Sequence, residues 1–353
     1  MNSEAVTIID EDLFYITEAD LPWRELEGKT ILVSGANGML PAYMVETILY
    51  LNNTIFKEKT TILALVRDLE KAQGRFSRYK NNNHLKFIVQ DVCNKIVIDG
   101  KVDYIIHAAS QASPKFYRRD PVGTILPNVL GTYNLLELAR EKSIKGFLYF
   151  SAGAVYGKRI NDDKLITEND FGSLNPSTVE ACYPESKRLG ETMCMAWFSQ
   201  YNVPIKIIRP FHTYGPGVAL DDGRVFADFV RNIINNDNLV INSDGSARRP
   251  FCYLSDAVIG FFTVLLKGNI GEAYNIAGKK EIGILELANM LVDLFPEKNL
   301  KIVFKENIDK DYVQTAVSQY SPDVSKITSL GWDDKISLED GFKKMVNYYK
   351  LIV

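Results

Sequence analysis

Lys29-Thr30-Ile31-Leu32-Val33-Ser34-Gly35-Ala36-Asn37-Gly38-Met39 is the stretch on which the fold turns. Its apolar run is uninterrupted, as in a strand buried on both faces. Two glycines three residues apart then lead into a helix beginning near Met39. Glycines at these places let backbone approach a pyrophosphate, and the helix N-terminus stabilises the negative charge. A third expected glycine is replaced by Pro41, which a first helical turn tolerates. Gly35, Asn37, Gly38 and Met39 are therefore candidate dinucleotide contacts.

Outward from this unit, apolar runs at 60–66, 85–90, 102–107, 146–150 and 205–209 alternate with helical patterns such as 131–142 and 185–201. Strand–helix alternation predicts an α/β fold, a Rossmann-type doubly wound parallel sheet over residues 29–210. After Pro210 turns interleave with short elements, so 211–353 reads mainly as a smaller mixed substrate-binding lobe. The segment 250–266 is expected to return to the sheet. Residues 1–28 read as an acidic extension whose Phe14, Tyr15, Leu21 and Trp23 pack it on the surface.

The end of the second strand selects the cofactor. Arginine suits a 2′-phosphate and a carboxylate suits ribose hydroxyls. Arg67 and Asp68 stand there together, leaving NADP and NAD both open, with Arg67 favouring NADP. Asp91 and Val92, after the third strand, are placed for the adenine.

The chain has 353 residues and a formal net charge of −3. That charge gives no reason to expect nucleic acid or an anionic membrane as partner. No apolar run reaches the ~18 residues of a membrane span. Cys93, Cys182, Cys194 and Cys252 show no metal-ligand spacing and read as reduced thiols. The three histidines, His84, His107 and His212, are not clustered, so no metal site is expected. The acidic start lacks a basic n-region, and a cytoplasmic location is expected.

Tyr183 and Lys187 lie four residues apart, on one face of a helix. A lysine ammonium and a cationic nicotinamide near a phenol would favour its phenolate, making Tyr183 a general acid/base at a sugar carbinol or ketone.

Together Gly35-Ala-Asn-Gly38, His107-Ala-Ala109, Asn128-Val-Leu-Gly-Thr132, Ala154-Val-Tyr-Gly157, Tyr183-Pro-Glu-Ser-Lys187 and Arg209-Pro-Phe-His-Thr-Tyr-Gly-Pro216 resemble the extended short-chain dehydrogenase/reductase family acting on nucleotide-diphosphate sugars. The likeness spans residues 29–265. It is nearest in look to the UDP-glucuronate decarboxylase and dTDP-glucose 4,6-dehydratase branches. The resemblance implies that Tyr183 takes a proton from a sugar hydroxyl as hydride passes to nicotinamide. Lys187 would hold the cofactor ribose, with Ala108, Ala109 and Pro210 also lining the cofactor. Arg224 and Arg249 would pair with the diphosphate. Ser110, Ser113, Ser151, Ala152 and His212 would line the sugar.

The chain departs from that pattern at Ser151-Ala152-Gly153-Ala154. A serine or threonine of the family stands at position 152, the acid of decarboxylases and dehydratases at 154, and a further dehydratase acid at 153. Alanine can neither donate nor accept a proton. Glu180 replaces a decarboxylase arginine, and is a candidate acid/base or a loop residue. His212 replaces an asparagine, as a phosphate contact, a proton relay or a structural residue. Ser110, Ser113 and Thr213 are alternative sources of the hydroxyl missing at Ala152. Ketone reduction or epimerisation needs only hydride, Tyr183 and Lys187, so both survive the alanines. A dehydratase or decarboxylase with relocated acids is the alternative. A cofactor-binding protein without catalysis is another. By analogy with the family, Leu189, Met193, Met195, Trp197 and Phe198, with the helix at 131–142, would form a homodimer interface; the same apolar positions could equally be core.

Overall fold

The computed structural model describes residues 3–158, 164–305 and 321–352. The opening segment forms helix α1 (Ser3–Thr17), and strand β1 spans Thr30–Ser34. Helix α2 (Met39–Thr54), β2 (Thr61–Val66), α3 (Leu69–Arg75), β3 (Leu85–Val89) and β4 (Tyr104–His107) follow. Next come α4 (Thr132–Lys142), β5 (Gly146–Phe150), α5 (Cys182–Tyr201) and β6 (Ile205–Pro210). The C-terminal part adds α6 (Val225–Asn235), α7 (Leu254–Lys267), β7 (Glu272–Ile276), α8 (Ile284–Leu294) and α9 (Leu338–Ile352).

The seven strands form one sheet in the order β7-β6-β5-β4-β1-β2-β3, and every adjacent pair is parallel. Strand order reverses between β1 and β4, and a crevice opens at such a switch point beyond the C-terminal strand ends. Period-two alternation divides β1 between two cores. Ile31 and Val33 face the side covered by α1, α2 and α7, whereas Leu32 faces α4 and α5. Covering both faces explains why the strands read as continuous apolar runs.

Two segments differ from the sequence expectation. From α1 onward the extension is part of the core. Ala5, Ile9, Leu13 and Ile16 form one fully buried stripe of α1, which packs on α2, α7 and α9. Of the aromatic residues, Phe14 is exposed, Trp23 is buried edge-on against Phe262, and Tyr15 donates to Asp256 Oδ1 at 2.8 Å. The acidic look concealed the stripe, because Asp12 is itself buried. It accepts hydrogen bonds from Tyr253 at 2.9 Å and Tyr43 at 3.3 Å, and pairs with Lys344 of α9 at 2.8 Å. Second, 254–267 returns as helix α7, packed on β5, β6 and β7. The added strand is β7, whose pairing with β6 closes that edge.

Beyond the sheet, short ladders join 239–241 to 302–304 and 213–214 to 252–253, both parallel. A third joins 248–249 to 282–283 in antiparallel fashion. Among the described residues no helix is long and apolar enough to cross a membrane, and no three His, Cys, Asp or Glu side chains gather as a metal site.

Candidate active site

A cleft of about 1530 Å³ runs over the C-terminal strand ends. One end is the turn between β1 and α2. Gly35 has φ +65°, and a Cβ there would lie 2.8 Å from Ala109 Cα, so only glycine fits. Gly38 caps α2 in extended conformation, and its N–H donates to Gly35 O at 2.9 Å. Pro41 occupies the first turn, where an N–H has no intrahelical acceptor, so its missing donor costs no helix bond. This cradle, open at the N-terminus of a 16-residue helix, fits a dinucleotide pyrophosphate.

Ser34 fixes the opposite wall of the turn. Its Oγ accepts the N–H groups of Ala108 and Ala109, each at 3.2 Å, and meets His107 Nδ1 at 2.8 Å. His107 Nε2 lies 3.0 Å from Thr132 Oγ1, which donates to Asn128 O at 2.6 Å. This network assigns the proton to Nε2. Burial, with Lys187 nearby, lowers the His107 pKa from 6.5 to about 3. His107 is therefore neutral in the fold and protonated in the unfolded chain below pH 6.5. The stability it contributes is full above that pH and is lost as pH falls from 6.5 toward 3. Urea unfolding should show roughly 2 kcal/mol lost on this account between pH 7 and pH 5. A His107→Asn chain should lose that part of the slope, and an unchanged slope would contradict the assignment.

At the end of β2 the two charged residues divide. Asp68 caps α3, accepting from Lys71 N at 3.0 Å, with Lys71 Nζ 3.3 Å from its other oxygen. The Arg67 side chain is 64% exposed and reaches within 4.0 Å of Asp91 Oδ2. Arg67, Asp68 and Asp91 all line the cleft, as do Val92 and Pro210.

Tyr183 and Lys187 lie in the first turns of α5, both buried. Lys187 Nζ donates to Phe150 O at 2.6 Å and stands 5.9 Å from the centre of the Tyr183 ring. In the chain alone, burial outweighs the attraction expected between them. It raises the Tyr183 pKa to about 12, with Arg224 pulling it back, and lowers that of Lys187 to about 7 against the pull of Glu191. Tyr117 stacks on Tyr183, centroids 5.1 Å apart and planes at 13°. Ala152 and Cys182 pack on Tyr183, with Tyr117 and Ala154 alongside. Sequence patterns do not single out Tyr117. It stands on a five-residue helix too short for periodicity to reveal.

The remaining candidates differ in how they are held. Ser151 donates to Glu191 Oε1 at 2.5 Å, and Arg209 grips the same carboxylate with two bonds, at 2.9 and 2.7 Å. Ser113 donates to Asp222 O at 2.7 Å. Arg224 pairs with Asp222 through both carboxylate oxygens, and Arg249 is buried with Nη1 donating to Arg248 O at 2.7 Å. His212 lines the cleft, but burial, with Arg249 and Arg224 nearby, lowers its pKa to about 3. In the chain alone it is a neutral imidazole. Glu180 does not line the cleft. Its carboxylate accepts from Arg118 Nε at 2.7 Å, and a backbone hydrogen bond followed by Arg118 lowers its pKa. The reason is local: the short turn 179–181 carries it outward, where a partner from the 115–119 helix waits.

Comparison with known proteins identifies relatives of the chain and of its fold. UDP-glucuronic acid decarboxylase 6 of Arabidopsis thaliana is 32% identical over 326 residues, covering 91% of this chain and 89% of that one. UDP-glucuronic acid decarboxylase 1 of Danio rerio is 30% identical over 328 residues, 92% of this chain and 73% of that one. Among solved structures, UDP-glucuronic acid 4-epimerase from Bacillus cereus, in complex with UDP-glucuronic acid and NAD, superposes with TM-score 0.77. It is 23% identical and covers 92% of this chain and all of that one. The family model of the NAD dependent epimerase/dehydratase family matches residues 31–277, and the chain belongs to that family.

Proposed function

We propose that the chain transfers hydride between a nicotinamide dinucleotide and a carbon of a nucleotide-diphosphate sugar, as a ketoreductase or an epimerase. The observation that carries this reading is the surface around Tyr183. A tyrosine and a lysine line the cleft, while Gly153 and Ala154 stand where elimination would need acids and Ala152 where a hydroxyl would stand. When bound, the nicotinamide supplies the hydride acceptor or donor. Tyr183 then exchanges the proton of the reacting hydroxyl. Lys187 faces the cofactor ribose and, as an ammonium, favours the phenolate. Arg249 and Arg224 bind the diphosphate, the latter by exchanging its Asp222 partner for phosphate. His212 acts as a neutral hydrogen-bonding group.

Decarboxylation is the second reading, favoured by the decarboxylase relatives that match over nine-tenths of the chain. Glu180, its candidate relocated acid, is turned outward and held by Arg118. The test is transfer of deuterium between nicotinamide labelled at its reacting carbon and UDP- or dTDP-sugars, followed by mass spectrometry. Label arriving in a sugar supports hydride transfer. Cofactor binding with neither label transfer nor an epimerised sugar would support a protein that only holds the dinucleotide.

Arg67 supports NADP, because Asp68 is engaged as a helix cap while Arg67 reaches into the cleft edge. Arg67→Ala should weaken NADP binding roughly tenfold and leave NAD binding nearly unchanged, as expected for one charge-assisted phosphate contact. Equal effects on both cofactors, measured by calorimetry, would count against an NADP preference. Met193, Trp197 and Phe198 pack against the core, so we further propose a homodimer through Leu189 and Met195 together with Leu126, Leu130 and Tyr133, apolar side chains left exposed along α5 and next to α4. Sedimentation at micromolar concentration tests it, and a monomer there would contradict it.

A further inference from the structure

Strands β4 and β5 pair in parallel with His107 opposite Tyr149. Three residues beyond each, Ser110 and Ala152 follow the C-terminal ends of these neighbouring strands. Ala152 packs on Tyr183. Ser110 lines the same cleft, and its Oγ is buried with no hydrogen-bond partner among the described residues. A buried hydroxyl without a partner is costly, and one on a cleft-lining residue gains its partner when rotation about χ1 turns it toward what the cleft takes up. The backbone before it is fixed by Ser34, which holds the N–H groups of Ala108 and Ala109, and by the close approach of Gly35 to Ala109. The competing hydroxyls are less suitable. Ser113 and Ser151 already donate to Asp222 O and Glu191. Thr213 Oγ1 is also without a partner among the described residues and also lines the cleft, but it stands on the ladder with 252–253 and does not follow β4 or β5.

We propose that Ser110 supplies the hydrogen bond to the reacting sugar oxygen that an alanine at position 152 cannot give. The inference rests on the hydride-transfer reading above. In the oxidising direction the sugar C–H passes its hydride to nicotinamide, the hydroxyl proton passes to the Tyr183 phenolate, and the carbon–oxygen bond becomes a carbonyl. Ser110 donates to that oxygen while negative charge develops on it and keeps its own proton throughout. In the reducing direction the same bond polarises the carbonyl.

The experiment compares the parent chain with Ser110→Ala and with Ser110→Ala combined with Ala152→Ser. UDP-glucose, UDP-glucuronate and dTDP-glucose are the probes, each with NAD or NADP, and kinetics are taken on the one consumed fastest. UDP binding is measured by calorimetry as a readout independent of turnover. Ser110→Ala should lower kcat about 10²-fold, by analogy with loss of one oxyanion donor, and leave KM and UDP affinity little changed. Ala152→Ser should restore most of the lost kcat, because it returns a hydroxyl beside the same oxygen. An unchanged kcat in Ser110→Ala, or a loss that Ala152→Ser does not restore, would overturn the proposal. Tyr183→Phe, run alongside, separates the two levels. If it is inactive while Ser110→Ala is fully active, only the role of Ser110 falls; if it is active, the hydride-transfer reading falls.

Discussion

Tyr183→Phe is expected to reduce turnover about 10³-fold, within the range for removing a positioned general acid/base. Phenylalanine keeps the ring, so the stack on Tyr117 and the packing on Ala152 and Cys182 survive. Cofactor affinity should therefore change little, because the dinucleotide cradle is built by the β1–α2 turn and the Ser34 latch. The loss should appear in kcat and not in binding, the signature of an interaction made in the transition state. In the chain alone the phenol is neutral, pushed up to about 12 by burial. Lys187 is lowered to about 7, so near neutrality it divides between ammonium and amine. A charged ligand has to shift both groups for the phenolate to form, which ties acid/base competence to cofactor binding. Equal activity in the Tyr183→Phe chain would remove Tyr183 from the chemistry.

Asp12→Ala should be the most damaging substitution outside the cleft. Its carboxylate accepts from two tyrosine hydroxyls and an ammonium, drawn from α2, from the 252–253 strand and from α9. Burial pushes its pKa up, with Lys344 and the tyrosines opposing, so the charge is held there at a cost that its partners offset. Alanine would leave Tyr43 and Tyr253 buried without an acceptor and Lys344 without its short contact. A loss of about 3–5 kcal/mol is expected, as for breaking other buried charged networks. Denaturant unfolding measures it. A surface extension would give a change within about 0.5 kcal/mol, and that result would contradict the integral role of α1.

These two residues mark the limits of what the chain reveals by itself. The sheet was legible because strands buried on both faces write apolar runs, as β1, β2 and β5 do, while the less buried β3 keeps a shorter one. The Gly35 turn was legible because its φ admits almost only glycine. Tyr183 and Lys187 were legible because helix geometry turns a spacing of four into one face. Helix α1 was not, since its apolar stripe is interrupted by acids and one of them is buried. The true place of Glu180 was not legible either, because its partner Arg118 comes from 62 residues away. Nor does a linear pattern distinguish an engaged serine from an orphaned one. Ser113 and Ser151 donate within the fold while Ser110 does not, and only the packing of separate strands decides this.

The most direct test of the central claim is the mass of the product formed from UDP-glucuronate, UDP-glucose or dTDP-glucose with NAD or NADP present. Hydride transfer without elimination predicts a sugar nucleotide of unchanged mass, or one differing only by two hydrogens. Loss of carbon dioxide or of water would contradict it, and would mean that the acids absent from positions 153 and 154 are supplied elsewhere in the cleft.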